Sequence, residues 1–199
     1  MDVADLQIAS LSLAVGYSAG ITLSGNLTVT GAVSQFAGTI KVGSYTLRMG
    51  SYAATGPAAR LQITTGNIYC GGAFTLLIAG NFSAGSSTLY LNGSADQTIS
   101  TGSATFNNIT IENTGNHGAG TDDVVVSGAL DVNGTLTITT GDLNIDTTVN
   151  LAKSLSIASG GYLTKGSGAW TFLYLAGRRF LFTVKFSILI GSLSSPKAI

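Results

Sequence analysis

Apolar and polar residues alternate in short bursts along most of the chain. Leu27 and Val29 enclose one polar residue, as do Leu130 and Val132, and a glycine follows each pair two positions later. This period of two predicts half-buried β-strands joined by turns. The composition agrees, because the 27 glycines and the many Ser, Thr and Val residues are weak helix formers.

Several bursts recur as longer copies. Residues 61–70 (LQITTGNIYC) and 136–145 (LTITTGDLNI) each place two strand-like alternations around a Thr-Thr-Gly turn. A weaker copy, residues 155–160, follows the second of these. Residues 24–31 (SGNLTVTG) likewise match residues 127–134 (SGALDVNG). Most intervals between copies are near multiples of about 20 residues, which indicates a structural repeat of that length.

A repeat of strands and turns with no helix predicts an all-β fold, a parallel β-solenoid (β-helix) with coils of about 20 residues. The handedness rule for crossovers predicts a right-handed one. Coils about 4.8 Å apart would align like residues into interior ladders, with roughly eight coils over residues 1–170. The alternative is an antiparallel β-sandwich, which explains the alternation but not the repeated order of motifs.

One interval breaks the period. Residues 50–59 are small and contain a Gly-Pro pair, so we assign them to a loop extruded from one coil. The remaining alternations predict which side chains point inward. The predicted interior ladder is Leu27, Val29, Ile40, Val42, Leu61, Ile63, Leu130, Val132, Leu136, Ile138, Leu143 and Ile145.

The repeat pattern stops near residue 170. We therefore predict a solenoid repeat domain over residues 1–170 and an apolar, basic tail over residues 171–199. Arg178 and Arg179 separate two apolar runs of the tail, each shorter than the roughly 18–20 residues of a membrane span, so we expect no span. The tail could be a capping strand pair, an unnatural end from a truncated or frame-shifted gene, or a membrane-associated segment.

Charge is sparse and unevenly distributed. Only 9% of residues are charged, and all nine acids lie in residues 1–146, together with three bases. Residues 147–199 carry six bases and no acid. A basic tail can indicate anionic partners. Four of these bases lie in the anomalous segment 171–199, however, and we expect no nucleic-acid partner.

The aspartates are the candidates for catalysis, because glycoside hydrolysis needs two carboxylates a few ångströms apart on one face. Asp122 and Asp123 are adjacent in sequence, so on a strand they would point to opposite faces. Asp131, Asp142 and Asp146 could line up across coils. The matching positions of the upstream copies are uncharged, however, and we read all three as outward polar sites. We predict no catalytic residue.

Metal and cofactor chemistry has little support. His117 is the sole histidine and Cys70 the sole cysteine, which excludes an intrachain disulfide and any zinc site built from several of these residues. We expect His117 to be an exposed loop residue and Cys70 a buried apolar one, in the place that Ile145 takes in the sister copy. No calcium-loop or phosphate-loop pattern is present, so we expect no metal and no cofactor.

Threonines suggest one further function. Thr28 with Thr30 and Thr137 with Thr139 form Thr-x-Thr pairs, and Thr110 stands alone. Flat threonine arrays occur on ice-binding solenoids, although threonine is also a good strand former on any solvated face. Ice binding is therefore a minor alternative.

Three stretches carry a resemblance: LYLNGSADQTIS at residues 89–100, TFNNITIEN at 105–113 and VSGALDVNGTLTITTG at 126–141. They resemble the repeat regions of large bacterial secreted and cell-surface β-helix proteins, which are adhesin-like. The likeness extends over about residues 20–165. These repeats serve mostly as stalk or scaffold and share no catalytic residues.

The resemblance implies a structural or adhesive repeat module without catalysis, at the cell surface or outside the cell. Polysaccharide or cell-surface components are the partners it implies. The first residues, MDVAD, are acidic where a secretory signal would be basic, so we expect part of a larger exported polypeptide. The rival class is a carbohydrate-active β-helix enzyme, a lyase or hydrolase.

Overall fold

The computed structural model describes residues 5–115, 123–165 and 168–172, which are almost entirely strands and turns. In chain order the strands are β1 (Leu6–Ile8), β2 (Leu11–Leu13), β3 (Gly20–Thr22), β4 (Leu27–Gln35), β5 (Thr39–Gly43), β6 (Thr46–Ala54), β7 (Arg60–Ile63), β8 (Asn67–Cys70), β9 (Phe74–Leu76), β10 (Phe82–Ser83), β11 (Thr88–Leu91), β12 (Gln97–Ser100), β13 (Thr105–Phe106), β14 (Asn108–Glu112), β15 (Val124–Ser127), β16 (Leu130–Val132), β17 (Thr135–Ile145), β18 (Val149–Leu151), β19 (Ser154–Lys165) and β20 (Trp170–Phe172). A short 3-10 turn, Ala79–Asn81, precedes β10.

Every strand pairing in the described residues is parallel. The pairings join strands of successive coils, which is the arrangement of a parallel β-solenoid. The predicted fold is confirmed, and the antiparallel sandwich is wrong.

The coils have three faces. Face 1 contains β1, β8, β11, β14 and the first halves of β4, β6, β17 and β19; face 2 contains β2, β9, β12, β15 and the second halves of the same four strands. Face 3 contains β3, β5, β7, β10, β13, β16, β18 and β20. The four long strands bend around the corner between faces 1 and 2, where the register shifts, and they join these faces into one sheet.

The coil length is regular. On face 1 the paired positions are Leu6, Leu27, Leu47, Ile68, Leu89, Ile109, Leu136 and Leu155. Each step between neighbours in this row is about 20 residues long, as in other solenoid repeats, except the longer step from Ile109 to Leu136. The predicted coil length is confirmed, and the long step contains residues 116–122.

The core is a set of apolar ladders. All twelve residues of the predicted interior ladder are buried. In the middle coils the core becomes aromatic: Phe74 contacts Tyr52, Phe82 and Phe106 at centroid distances of 5.1, 5.8 and 6.3 Å. The buried Tyr52 hydroxyl donates a 2.7 Å hydrogen bond to Gln35 Oε1, so it enters the core without losing a hydrogen-bond partner.

The sequence copies do not occupy equivalent places. Residues 61–70 pass from face 3 to face 1, whereas residues 136–145 bend from face 1 into face 2 within β17. Their turn glycines serve different needs, because Gly141 has a φ of +89° while a side chain at Gly66 would collide with the Tyr45 carbonyl. The local pattern thus encodes strand, turn and strand, but not the face.

The second pair of copies shows the same shift. Residues 24–31 lead into β4 on face 1, and residues 127–134 contain β16 on face 3. A strand on any face of a solenoid has the same inward and outward alternation. Similarity between two copies therefore does not show that they lie on the same face.

The loop predicted at residues 50–59 is wrong for its first half. β6 continues to Ala54 and pairs with β4 and β9, so residues 55–59 alone connect it to β7. Tyr52 and Ala54 point inward and are buried. The Tyr52 ring and the Ala54 methyl group fill this part of the core. In the sequence alone, a run of small residues is typical of a loop.

The predicted domain boundary crosses a strand. β20 pairs with β18, so solenoid pairing extends to Phe172. The remainder of the predicted tail, residues 173–199, lies outside the described residues. In the part of the chain that the structure describes, no helix has the length and apolar character needed to cross a membrane.

Ile138→Asp is expected to unfold its coil, because Ile138 is fully buried and an unpaired buried charge costs several kcal/mol. Thr137→Asp is the matched control, since Thr137 points outward from the same strand, and it should cost less than about 1 kcal/mol. Urea unfolding measures both. Equal midpoints for Ile138→Asp and the parent would contradict the inward assignment.

Cys70 is a buried member of a face 1 ladder, between Met49 and Leu91, as predicted for an apolar residue. Burial raises the pKa of its thiol to about 11. In the unfolded chain a thiol ionises near pH 8.5, so above that pH the unfolded state gains a charge that the folded state resists. The stability that Cys70 contributes is therefore present below this pH and is lost as the pH rises towards 11.

Cys70→Val should remove this pH dependence. Between pH 9 and 11 the unfolding free energy of the parent should fall relative to the variant by roughly 1.4 kcal/mol per pH unit. Urea unfolding at several pH values measures the difference. The raised pKa of Tyr52, also caused by burial, affects both proteins alike. Parallel curves would show that the thiol is not protected from ionisation.

Candidate functional site

Within the described residues, the candidate carboxylates lie in two different environments, one at the surface and one enclosed. Asp131 is half-buried on the outer side of face 3 and accepts a 2.8 Å hydrogen bond from Thr105 Oγ1. Asp146 is exposed just after β17. Both are outward polar residues, as predicted. Asp122 and His117 lie outside the described residues.

The expectation that Asp142 is exposed to solvent is wrong. Asp142 is fully buried, and Thr164 Oγ1 lies 3.1 and 2.9 Å from its two carboxylate oxygens. Asp123 is also fully buried, and its Oδ2 accepts a 2.8 Å hydrogen bond from the Asp142 backbone N–H. Asp142 pairs with the exposed Tyr162 and alternates with the inward Leu143, so it lies on the outer side of β17 but is covered there.

These aspartates belong to a polar junction at the corner between faces 1 and 2, made of Gln97, Asn113, Asp123, Asp142 and Thr164. Asn113 Nδ2 donates to Gln97 Oε1 at 2.9 Å and to the Asp123 carbonyl at 3.3 Å. Gln97 Nε2 donates to the Cys70 carbonyl at 2.9 Å. The junction thus provides hydrogen bonds to buried backbone groups where the chain turns. Its carboxylates are enclosed, so neither is placed to meet a polysaccharide.

A cleft opens where face 3 is interrupted. β10 and β13 do not pair with each other, so face 3 splits into two four-stranded sheets. The cleft beside this break has a volume of about 320 Å³, and its lining includes Phe82, Phe106, Thr105 and Asn107. The packing of the Phe82 and Phe106 rings, 5.1 Å apart, takes the place of backbone pairing here. The cleft suits a small ligand with both polar and apolar surfaces.

The outer side of face 1 carries a second feature, which the sequence analysis missed. Arg48, Tyr69 and Tyr90 occupy the same outward position in three successive coils. The Arg48 guanidinium carbon lies 3.9 Å from the Tyr69 ring centroid. The Tyr69 and Tyr90 rings are stacked at 4.4 Å and 7°. We call these three residues the Arg-Tyr-Tyr stack; the signal for it was their even spacing in the sequence, one coil apart.

The threonines extend the row that contains the Arg-Tyr-Tyr stack. Thr28 precedes Arg48 in the row, and Thr110 and Thr137 follow Tyr90. Arginine and two tyrosine rings therefore separate the first threonine from the other two. The row is not an unbroken threonine array of the kind that the ice-binding alternative requires.

The surroundings of Tyr90 disfavour its ionised form. Partial burial raises the pKa of Tyr90, and the neighbouring Tyr69 phenol and Glu112 carboxylate raise it further. Glu112 lies two residues after Thr110 on β14, so it projects from the same side of the sheet.

Over the described ranges, no three His, Cys, Asp or Glu side chains come together as a metal site would require.

Comparison of the chain with protein-family models, with curated proteins and with solved structures found no match.

The enclosed position of Asp123 leads to a test of its role. Asp123→Ala should cost roughly 1–3 kcal/mol of stability, because it leaves the buried Asp142 N–H without its acceptor. Asp146→Ala is the control at an exposed aspartate and should change stability by less than about 0.5 kcal/mol. Chemical denaturation of both variants measures this. Equal stabilities would show that the junction does not hold the corner together.

Proposed function

We propose that this chain is a structural or adhesive repeat module of an exported bacterial surface protein, and that it performs no catalysis. The observation that carries the proposal is the stack of parallel coils around continuous apolar ladders. Such a rod holds its shape along its whole length, because each coil is fixed by its neighbours. The resemblance of its repeats to those of bacterial surface β-helix proteins supports the exported setting.

The outer surface supports an adhesive role in particular. Outward positions are mostly Ser, Thr, Asn and Gln, with few charges. Hydroxyl and amide groups repeated once per coil can form hydrogen bonds to a polymer that also repeats, such as a polysaccharide. The partners we propose are polysaccharides or other cell-surface components.

The rival function is a carbohydrate-active enzyme, and one observation favours it. Asp131 accepts a hydrogen bond from Thr105, which lines the face 3 cleft, so one carboxylate stands close to a cavity with aromatic walls. A glycosidase needs a second carboxylate across the cleft. None of the described residues that line the cleft is acidic, and so we rank the enzyme second.

The test is a polysaccharide array probed with the full 199-residue chain, with release of reducing ends followed on the same samples. We expect binding without release. New reducing ends that disappear in Asp131→Asn would establish the enzyme instead. If neither binding nor release is seen, the function that remains is a passive spacer.

The surface location has its own test. Antibodies raised against the chain should label intact cells of the source organism as strongly as permeabilised ones. Labelling confined to permeabilised cells would contradict an exported protein.

A further inference from the structure

Within the described residues, the Arg-Tyr-Tyr stack is covered by Arg48 at one end and is followed by no further ring at the other. At one end the Arg48 guanidinium covers the outer face of Tyr69. At the other end, the next residue in the row after Tyr90 is Thr110, and Thr137 follows it. Within the described ranges, the aromatic contact found for Tyr90 is with Tyr69. One face of the Tyr90 ring therefore lies next to the short side chain of Thr110 and is not stacked on another ring of the described part of the chain.

The gap above Thr110 has the dimensions of a ring. Successive coils are about 4.8 Å apart, and the Tyr69 and Tyr90 rings already stack at 4.4 Å across one such step. A flat group placed above Thr110 would continue the stack at the same spacing. Stacked contacts of this kind contribute affinity through the apolar face of the group.

Polar groups border this gap on both sides. Glu112 lies on one side, close enough for its charge to act on Tyr90. On the other side runs a second outward row, which includes Asn67, Thr88 and Asn108. Asn108 Nδ2 lies 3.4 Å from Thr88 Oγ1, so these two side chains are held in place. An apolar platform with carboxylate, amide and hydroxyl groups at its edge matches a sugar ring, which has C–H faces and a rim of hydroxyls.

We propose that the open face of Tyr90, the space above Thr110 and the edge groups Glu112 and Thr88 form a binding site for an uncharged pyranose unit of a polysaccharide. The site rests on the proposed adhesive function and gives it a location and a ligand class. Tyr90 stacks on the C–H face of the sugar, and Glu112 accepts hydrogen bonds from its hydroxyls. No bond is made or broken.

The charge of Glu112 distinguishes among the flat or ring-shaped ligands that could stack on Tyr90. The Glu112 carboxylate disfavours a uronic acid at this position, because like charges repel. A guanidinium or ammonium group could also lie on Tyr90, as Arg48 lies on Tyr69. The edge offers a single carboxylate among neutral amides and hydroxyls, however, which suits the many hydroxyls of a sugar better than a series of cationic side chains.

The experiment is calorimetric titration of the full chain with three neutral hexasaccharides, β-1,4-linked glucose, mannose and xylose, and with oligogalacturonate and hexalysine for comparison. We expect at least one neutral sugar to bind, and oligogalacturonate to bind more weakly. Tyr90→Ala should weaken the neutral sugar about tenfold or more. Tyr162→Ala, at a tyrosine that is 38% exposed on β19 and outside the stack, is the matched control and should leave binding unchanged.

A second variant separates blocking from unfolding. Thr110→Arg places a guanidinium over Tyr90, in the arrangement that Arg48 and Tyr69 already show, so thermal stability should be kept or raised. Sugar binding should nevertheless fall about tenfold or more, because the arginine occupies the sugar's place. Unchanged sugar affinity in Thr110→Arg or in Tyr90→Ala would overturn the site.

The remaining outcomes separate this site from the proposed function. No binding of any neutral hexasaccharide, or preferential binding of hexalysine, would overturn the sugar site while leaving the adhesive module in place. Shortening of the hexasaccharides during the titration would instead overturn the non-catalytic function.

Discussion

Parallel stacking of backbones one coil apart is the constraint on which this structure depends. It forces residues at equivalent coil positions into rows about 4.8 Å apart, so an inward row is mostly apolar and any polar side chain in it needs hydrogen-bond partners. Rows such as Leu27, Leu47 and Ile68 meet this demand with residues of similar size. It also buries the backbone where the chain turns, and those groups need partners. Gln35, Asn81, Gln97 and Asn113 provide them: Asn81 Nδ2, for example, donates to the Gly56 and Ala59 carbonyls at 3.0 and 2.9 Å.

The same rule that builds the core also builds the surface. An outward residue meets its counterparts from the coils above and below, so a repeated side chain becomes a continuous strip. Tyr69 and Tyr90 stack because they occupy one position in adjacent coils, and Arg48 covers Tyr69 for the same reason. A solenoid therefore needs few residues to make an extended recognition surface, and it can do so without a deep pocket. This economy suits a module that meets a repeating polymer.

Interruptions of the stacking mark the places where the chain departs from a simple rod. Face 3 loses its pairing between β10 and β13, and Phe74, Phe82 and Phe106 fill the interior at that level. A cleft forms at the surface of this break. Just after the bend of β17, Asp142 is enclosed on the outer side of the strand, where it is hydrogen-bonded to Thr164 and Asp123. Aromatic rings and buried polar groups thus compensate where backbone pairing is incomplete or turns a corner.

The sequence by itself determined the fold class, the coil length and the inward residues, because alternation and period are local properties that survive in any coil. It did not determine the face on which a strand lies: residues 61–70 and 136–145 look alike and occupy different corners. It mistook Tyr52 and Ala54 for a loop, and Asp142 for a surface residue, since only packing against neighbouring coils decides which small or polar residue is enclosed. The Arg-Tyr-Tyr stack needed the tertiary structure for a similar reason. Its members stand a full coil apart in sequence, and the register between coils brings them into contact.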